Sequence, residues 1–323
     1  MSEAPDGLAI EVRGLTRQFG AVRALDGIDL EIPRGAVFGL LGPNGAGKTT
    51  TVRILNGVME PTCVQRLTVL GHDLPGGIAD VRPQVGVQTD TNLYERLSAR
   101  LNLTCFGRLF GLDGREAGKR ADHFLEMFGL TSRASARVET FSKGMKQKLL
   151  IARALMGHPS LVYLDEPTAG LDPEASHELM RYIRRVSRDA HATFFITSHR
   201  LEEMENACTQ VAILDEGVIK ASGTPLEVSR SAILTVRVRV RLAPHAVLAR
   251  SELMAIPGAI GVEFDGDGMV VTLAGIDAVP GFVRAAAALP ADLMGVAEEP
   301  PTLQEAYLAL VGRGHHVREE ADD

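Results

Sequence analysis

The sequence predicts an α/β fold, a mixed sheet core with a helical insert, and behind it a small carboxyl-terminal α+β unit. Three observations carry that prediction. From Leu8 to about Leu226, short β-branched runs alternate with longer helical patterns, the mark of a parallel sheet flanked by helices. Residues 36–41 (AVFGLL) and 161–164 (LVYL) are nearly pure apolar runs, as strands covered on both faces must be. Beyond Leu226 the pattern changes to a shorter series of strands and helices, and at roughly 100–200 residues per domain a chain of 323 suits two domains.

Taken in order, the strand at 36–41 runs into a glycine-rich turn, and a helical pattern begins near Thr50. Between about residues 91 and 140 the strand signal disappears. Apolar positions such as Leu97, Leu101, Phe124, Leu125 and Phe128 suit helices there, which predicts the insert. Ser142 is a good N-cap for the amphipathic run that follows it, and Gly157-His158-Pro159 is a good stop. Strands are expected again at 161–164 and at 193–197 (TFFIT). In the tail, residues 233–240 alternate cleanly as a strand, a helix is expected near 246–255, and Asp-Gly-Asp-Gly at 265–268 supplies hairpin turn chemistry. A helix near 281–289, a strand near 293–297 and a last helix over 303–311 complete a β-α-β-β-α-β order, that of a ferredoxin-like unit. The predicted domains are 1–226 and 227–323.

Charge and composition narrow the classes of function. The chain carries 34 Lys+Arg against 41 Asp+Glu, a net charge of −7, whereas a nonspecific nucleic-acid coat carries the opposite sign. From Ala232 onward there are seven arginines, no lysine and thirteen acids, so −6 of that excess lies in the tail. Nowhere do 18 apolar residues follow one another, so no bilayer-spanning helix is expected. Glu3, Pro5 and Asp6 stand where a secretory leader needs basic and then apolar residues, and the expectation is a cytosolic chain. Cys63, Cys105 and Cys208 form no CxxC pair and suggest neither a disulfide framework nor a zinc site.

Residues 42–49 read GPNGAGKT, a full match to GxxxxGK[ST] set between a buried strand and a helix, which is the context this motif requires. Gly42, Gly45 and Gly47 let the backbone curl so that successive N–H groups face one anion, with Pro43, Asn44 and Ala46 between them. Lys48 is expected to reach the β- and γ-phosphates of a nucleotide, and the Thr49 hydroxyl to ligate Mg²⁺. Residues 161–166 read LVYLDE, a strand ending in two acids at the sheet edge where α/β proteins place ligand chemistry. Asp165 is expected to hold the metal, directly or through water, and Glu166 to accept a proton from the attacking water or to orient it.

Together with Phe141-Ser142-Lys143-Gly144-Met145-Lys146-Gln147, Ala169-Gly170-Leu171-Asp172 and Thr197-Ser198-His199, these two motifs resemble the ATP-binding cassette (ABC) ATPases over roughly residues 8–226. The resemblance implies a P-loop fold of the ABC type, with ATP held along residues Gly42 to Thr50. It makes Ser142 and Gly144 part of a signature sequence that binds the γ-phosphate held by a second subunit, in keeping with the anion affinity of a helix N-terminus. Two cassettes then sandwich two ATP molecules head to tail. Asp172 corresponds to the residue coupling the paired sites, His199 to the switch histidine near the γ-phosphate, and Phe19 to the aromatic residue stacked on adenine.

Three departures accompany the resemblance. Lys143 takes the place of the signature's first glycine, a variant familiar among cassettes of type-2 exporters of drugs, lipids and polysaccharides. The glutamine expected to sense Mg²⁺ and the membrane partner is either Gln88 or replaced by Asp90, which occupies the ungapped position. Cys63-Val64 replaces a Ser-Gly pair. Residues 301–312 and 92–103 further resemble the daunorubicin-resistance type of cassette. The implied function is that of an ATP-hydrolysing subunit coupled to a separate multi-span permease, peripheral on the cytoplasmic face of the membrane, with no nucleic-acid partner. The alternative is a soluble cassette ATPase acting on ribosomes or DNA. A single cassette, the lack of a long coiled coil and the acidic balance speak against it.

Overall fold

The computed structural model describes residues 7–88, 93–243, 248–265, 268–289 and 292–319, with side chains throughout except at 190 and 312–319. Contacts divide the chain into one unit ending at Thr224 and another beginning at Pro225.

The first unit opens with two twelve-residue strands, β1 (Leu8–Phe19) and β2 (Val22–Pro33), joined through Gly20, whose φ of 56° lies in the left-handed region that glycine tolerates. There follow β3 (Val37–Leu41), α1 (Lys48–Leu55), β4 (Arg66–Val69), β5 (His72–Asp73), α2 (Ile78–Val81) and β6 (Val85–Gln88). Next come the helices α3 (Ala99–Leu109), α4 (Gly114–Met127) and α5 (Lys143–Ala154). The unit closes with β7 (Leu161–Asp165), α6 (Pro173–Ala190), β8 (Thr193–Ser198), α7 (Leu201–Ala207), β9 (Gln210–Asp215) and β10 (Val218–Gly223).

Two sheets form from these strands. One runs β10-β9-β3-β8-β7-β6, parallel except for the antiparallel edge strand β10. The other runs β2-β1-β4-β5 and is antiparallel throughout. The strand–helix alternation points to the first sheet. The second arises because β1 and β2 are amphipathic, burying Ile10, Val12 and Leu15 against Leu25, Ile28, Leu30 and Ile32. One buried cluster joins both sheets and α1, with Ile10 and Ile32 in company with Phe38, Leu40, Val52, Tyr163 and Phe195.

Topology decides where chemistry can sit. β3 is buried along its whole length and lies between β9 and β8, and β8 lies between β3 and β7. Leu41 of β3, Ser198 of β8 and Asp165 of β7 therefore end at one edge of the sheet, at the carboxyl ends of parallel strands. In the helical stretch, Ser98 caps α3 by accepting from the Leu101 amide, and Asp113 caps α4 by accepting from the amides of Arg115 and Glu116.

The second unit comprises α8 (Pro225–Ala232), β11 (Val236–Leu242), α9 (Arg250–Met254), β12 (Ala259–Asp265), β13 (Gly268–Leu273), α10 (Val279–Ala287), β14 (Leu293–Glu299) and α11 (Leu303–Glu319). Its sheet has the order β12-β13-β11-β14 with every neighbour antiparallel, the arrangement of two interleaved β-α-β units. Val238, Val240, Leu253, Val262, Val271 and Phe282 fill its core. β11 starts three residues later than the alternation from Ile233 suggests. The Ile233 amide is already committed to the Ser229 carbonyl at 3.1 Å, extending the hydrogen bonding of a helix that the sequence reading did not include. No helix among the described residues is long and apolar enough to cross a membrane. The three cysteines are unpaired, and burial pushes the Cys208 thiol up to about 12.

Candidate nucleotide site

The loop after β3 is shaped by backbone crowding. A side chain at Gly42 would meet the Leu214 carbonyl at 2.1 Å, and Gly47 has a φ of 112°. Ala46 is held from behind, its carbonyl accepting from the Gly217 amide at 3.1 Å in the β9–β10 turn. In that turn Glu216 and Gly217 both have positive φ, as tight hairpins require. Gly47 is the N-cap of α1 and offers no side-chain acceptor, which leaves the first-turn amides for an external anion. Lys48 is buried and donates from Nζ to the carbonyls of Gly42 at 2.6 Å and Pro43 at 2.9 Å. Burial pulls its pKa below the ordinary lysine value, against the opposing pull of Glu166 and Asp165.

The two acids arrive from β7. Asp165 accepts from Thr49 Oγ1 at 3.4 Å through one oxygen and from Thr197 Oγ1 through the other. Glu166 follows with a φ of 49°, unusual for a residue with a side chain. Its amide donates to the Thr197 carbonyl at 3.1 Å, and its carbonyl accepts from Gln147 Nε2 at 3.4 Å. His199 Nδ1 lies 2.9 Å from Glu166 Oε2, an oxygen with no aligned hydrogen-bond partner among the described residues. An open cleft of about 310 Å³ brings Asn44, Gly45, Gly47, Lys48, Thr49 and Thr50 together with Asp165 and Glu166, and Ala24 of β2 completes its wall.

Gln88 ends β6 in register with Leu164, the residue before Asp165. It is buried, and among the described residues its Oε1 has no hydrogen-bond partner. Asp90, its alternative, lies outside the described residues. Thr49, Asp165 and Gln88 present only oxygen donors, the set preferred by a hard cation such as Mg²⁺, and the orphaned Gln88 oxygen fits that use. Among the described residues no group of three His, Cys, Asp or Glu side chains forms a separate metal cluster.

A strand-to-helix anion loop facing a strand-end Asp-Glu pair is a nucleotide-hydrolysing arrangement, and comparison with known proteins agrees. Residues 25–169 match the ABC transporter family. Daunorubicin resistance ATP-binding protein DrrA3 of Streptomyces coeruleorubidus is 36% identical over 317 residues, 97% of this chain and 99% of its own length. This chain belongs to the ABC transporter ATPases.

Nod factor export ATP-binding protein I of Rhizobium johnstonii is 34% identical over 96% of this cassette protein and 98% of its own length. A solved ATP-binding subunit of an ABC transporter superimposes with a TM-score of 0.63 at 33% identity, covering 70% of this chain and 93% of its own. cbiO1 of Clostridium perfringens, part of the ABC transporter complex cbiONQ, gives 0.63 at 28% identity, covering 69% and 91%.

Ser142, Gly144, Asp172 and Phe19 are not among the residues that line the cleft. Ser142 caps α5 by accepting from the Met145 amide at 3.3 Å and is exposed. Gly144 packs against Leu171, which carries the loop toward Asp172, the exposed N-cap of α6. Phe19 is exposed at the end of β1 with the Arg17 guanidinium 4.5 Å from its ring centre. Sequence reasoning gave no role to Thr197, although a polar residue closing the apolar run TFFIT was a signal. Gln147 lies within the Phe141–Gln147 motif without a role of its own, and Ala24 carries no signal.

Proposed function

We propose that this cassette is the energy-coupling subunit of an exporter, acting as a head-to-tail pair around two ATP molecules on the cytoplasmic face of a membrane, with a separate multi-span permease. The single observation carrying the hydrolytic part is the cleft in which Lys48 and Thr49 face Asp165 and Glu166. Lys48 and the first-turn amides of α1 bind the phosphates, and Phe19 offers an exposed ring face to the adenine. Thr49, Asp165 and Gln88 would hold Mg²⁺, whose chemistry is to offset charge on the phosphates. Glu166 takes the proton of the attacking water, and His199 orients the γ-phosphate and that water beside it.

Ser142, Gly144 and Asp172 are exposed or half-exposed and do not line the cleft, which suits residues that complete the site of a second copy. The exporter assignment rests on near full-length similarity to proteins named for daunorubicin resistance and Nod factor export. It is tested by purification from native membranes. The chain should co-purify with a multi-span membrane protein and hydrolyse ATP faster in its presence, and recovery on ribosomes with membrane-independent turnover would overturn it.

A further inference from the structure

Glu166 combines an unfavourable backbone with a demanding task. A positive φ in a residue with a Cβ persists only where its surroundings enforce it, and a general base must present its carboxylate within hydrogen-bond reach of one water. Two side chains and one strand supply the enforcement. On one side the Glu166 amide donates to the Thr197 carbonyl at 3.1 Å and to Thr197 Oγ1 at 3.3 Å, which anchors it to β8. On the other, Gln147 Nε2 donates to the carbonyls of Glu166 at 3.4 Å and Pro167 at 3.0 Å, which anchors it to α5. One turn earlier on α5, a side chain at Gly144 would come within 3.2 Å of Leu171 and 3.8 Å of the Gly170 carbonyl, so the same helix face lies close to the loop at both Glu166 and Leu171.

We propose that Gln147 is a positioning residue for hydrolysis, holding the Glu166–Pro167 backbone so that the carboxylate stays aimed into the cleft and moves with the helix that Ser142 caps. The inference rests on Glu166 being the base. Only the amide group of the side chain makes both bonds. A carboxylate of the same shape cannot donate and would repel the two carbonyl oxygens it faces.

The test is steady-state ATP hydrolysis by the full chain carrying Gln147→Glu, with Gln147→Ala as the second variant should the added charge prevent folding. Loss of aim without loss of nucleotide contacts should lower kcat by about 10- to 100-fold, with KM and ATP affinity within about twofold of the parent. Because Gln147 acts through Glu166, adding Gln147→Ala to Glu166→Gln should reduce residual turnover no further. Unchanged kcat in both Gln147 variants would overturn the proposal, as would losses that simply multiply in the double variant. Full turnover in Glu166→Gln alone is a separate failure, that of the base assignment itself.

Discussion

The end of β7 and the middle of β11 both concentrate charge, and they use it in opposite ways. On β11, Arg237, Arg239 and Arg241 alternate along one sheet face. Arg237 pairs with Glu299 at 3.5 Å and Glu305 at 3.0 Å, while Arg239 pairs with Asp265 and Glu299. At β7, Asp165 is held by the hydroxyls of Thr49 and Thr197, and across the cleft Lys48 of α1 is held by two backbone carbonyls. Neutral partners orient those charges without cancelling them. A strand rich in charge is therefore no sign of a site by itself. What marks the cleft is charge left over for a charged substrate.

The largest expected effect lies at Glu166. Glu166→Gln keeps shape and hydrogen-bonding reach but removes the proton acceptor, and turnover should fall about 10²- to 10⁴-fold. ATP binding should survive, because the phosphate contacts come from the loop and α1, and an ATP-bound dimer should accumulate on a sizing column. Turnover at the parental rate would place the base elsewhere and dissolve the contrast between the two strands.

Next in size is Lys48. Lys48→Ala removes a charge-assisted phosphate contact worth about 1.5–3 kcal/mol, so ATP affinity measured by calorimetry should weaken about 10- to 100-fold. Undiminished affinity would mean that the loop amides alone carry the phosphates.

Residues acting through local backbone geometry were readable from the sequence, and residues acting through tertiary contact were not. The anion loop announces itself because only glycine fits beside Leu214 and at a φ of 112°, and the strand–helix flanks fix its direction. Asp165 and Glu166 announce themselves by breaking an apolar run. Thr197 closes the TFFIT run, but the run alone does not reveal its role, because its bond to Asp165 depends on β8 lying beside β7, a neighbourhood set by sheet order. Gln147 is separated from Glu166 by 19 positions and meets it through the packing of α5 on a loop. The antiparallel β2-β1-β4-β5 sheet was hidden for a related reason: amphipathic strands announce a buried face but not which strands share it.

The smallest effect is expected on β11 and is the sharpest check on the idea that its charge is already spent. Arg237→Met retains most of the side-chain stem while releasing Glu305 and leaving Glu299 to Arg239 alone, both acids being near the surface. Partly exposed pairs of this kind contribute under about 1 kcal/mol, so Tm should drop by no more than a few degrees and ATP hydrolysis should keep its parental kcat and KM. Raising salt to about 1 M, where screening acts over roughly 3 Å, should shrink even that difference between variant and parent. A loss of turnover in Arg237→Met, with Tm preserved, would instead give the β11 ladder a part in the ATPase cycle, and its pairing would then hold charge in reserve rather than consume it.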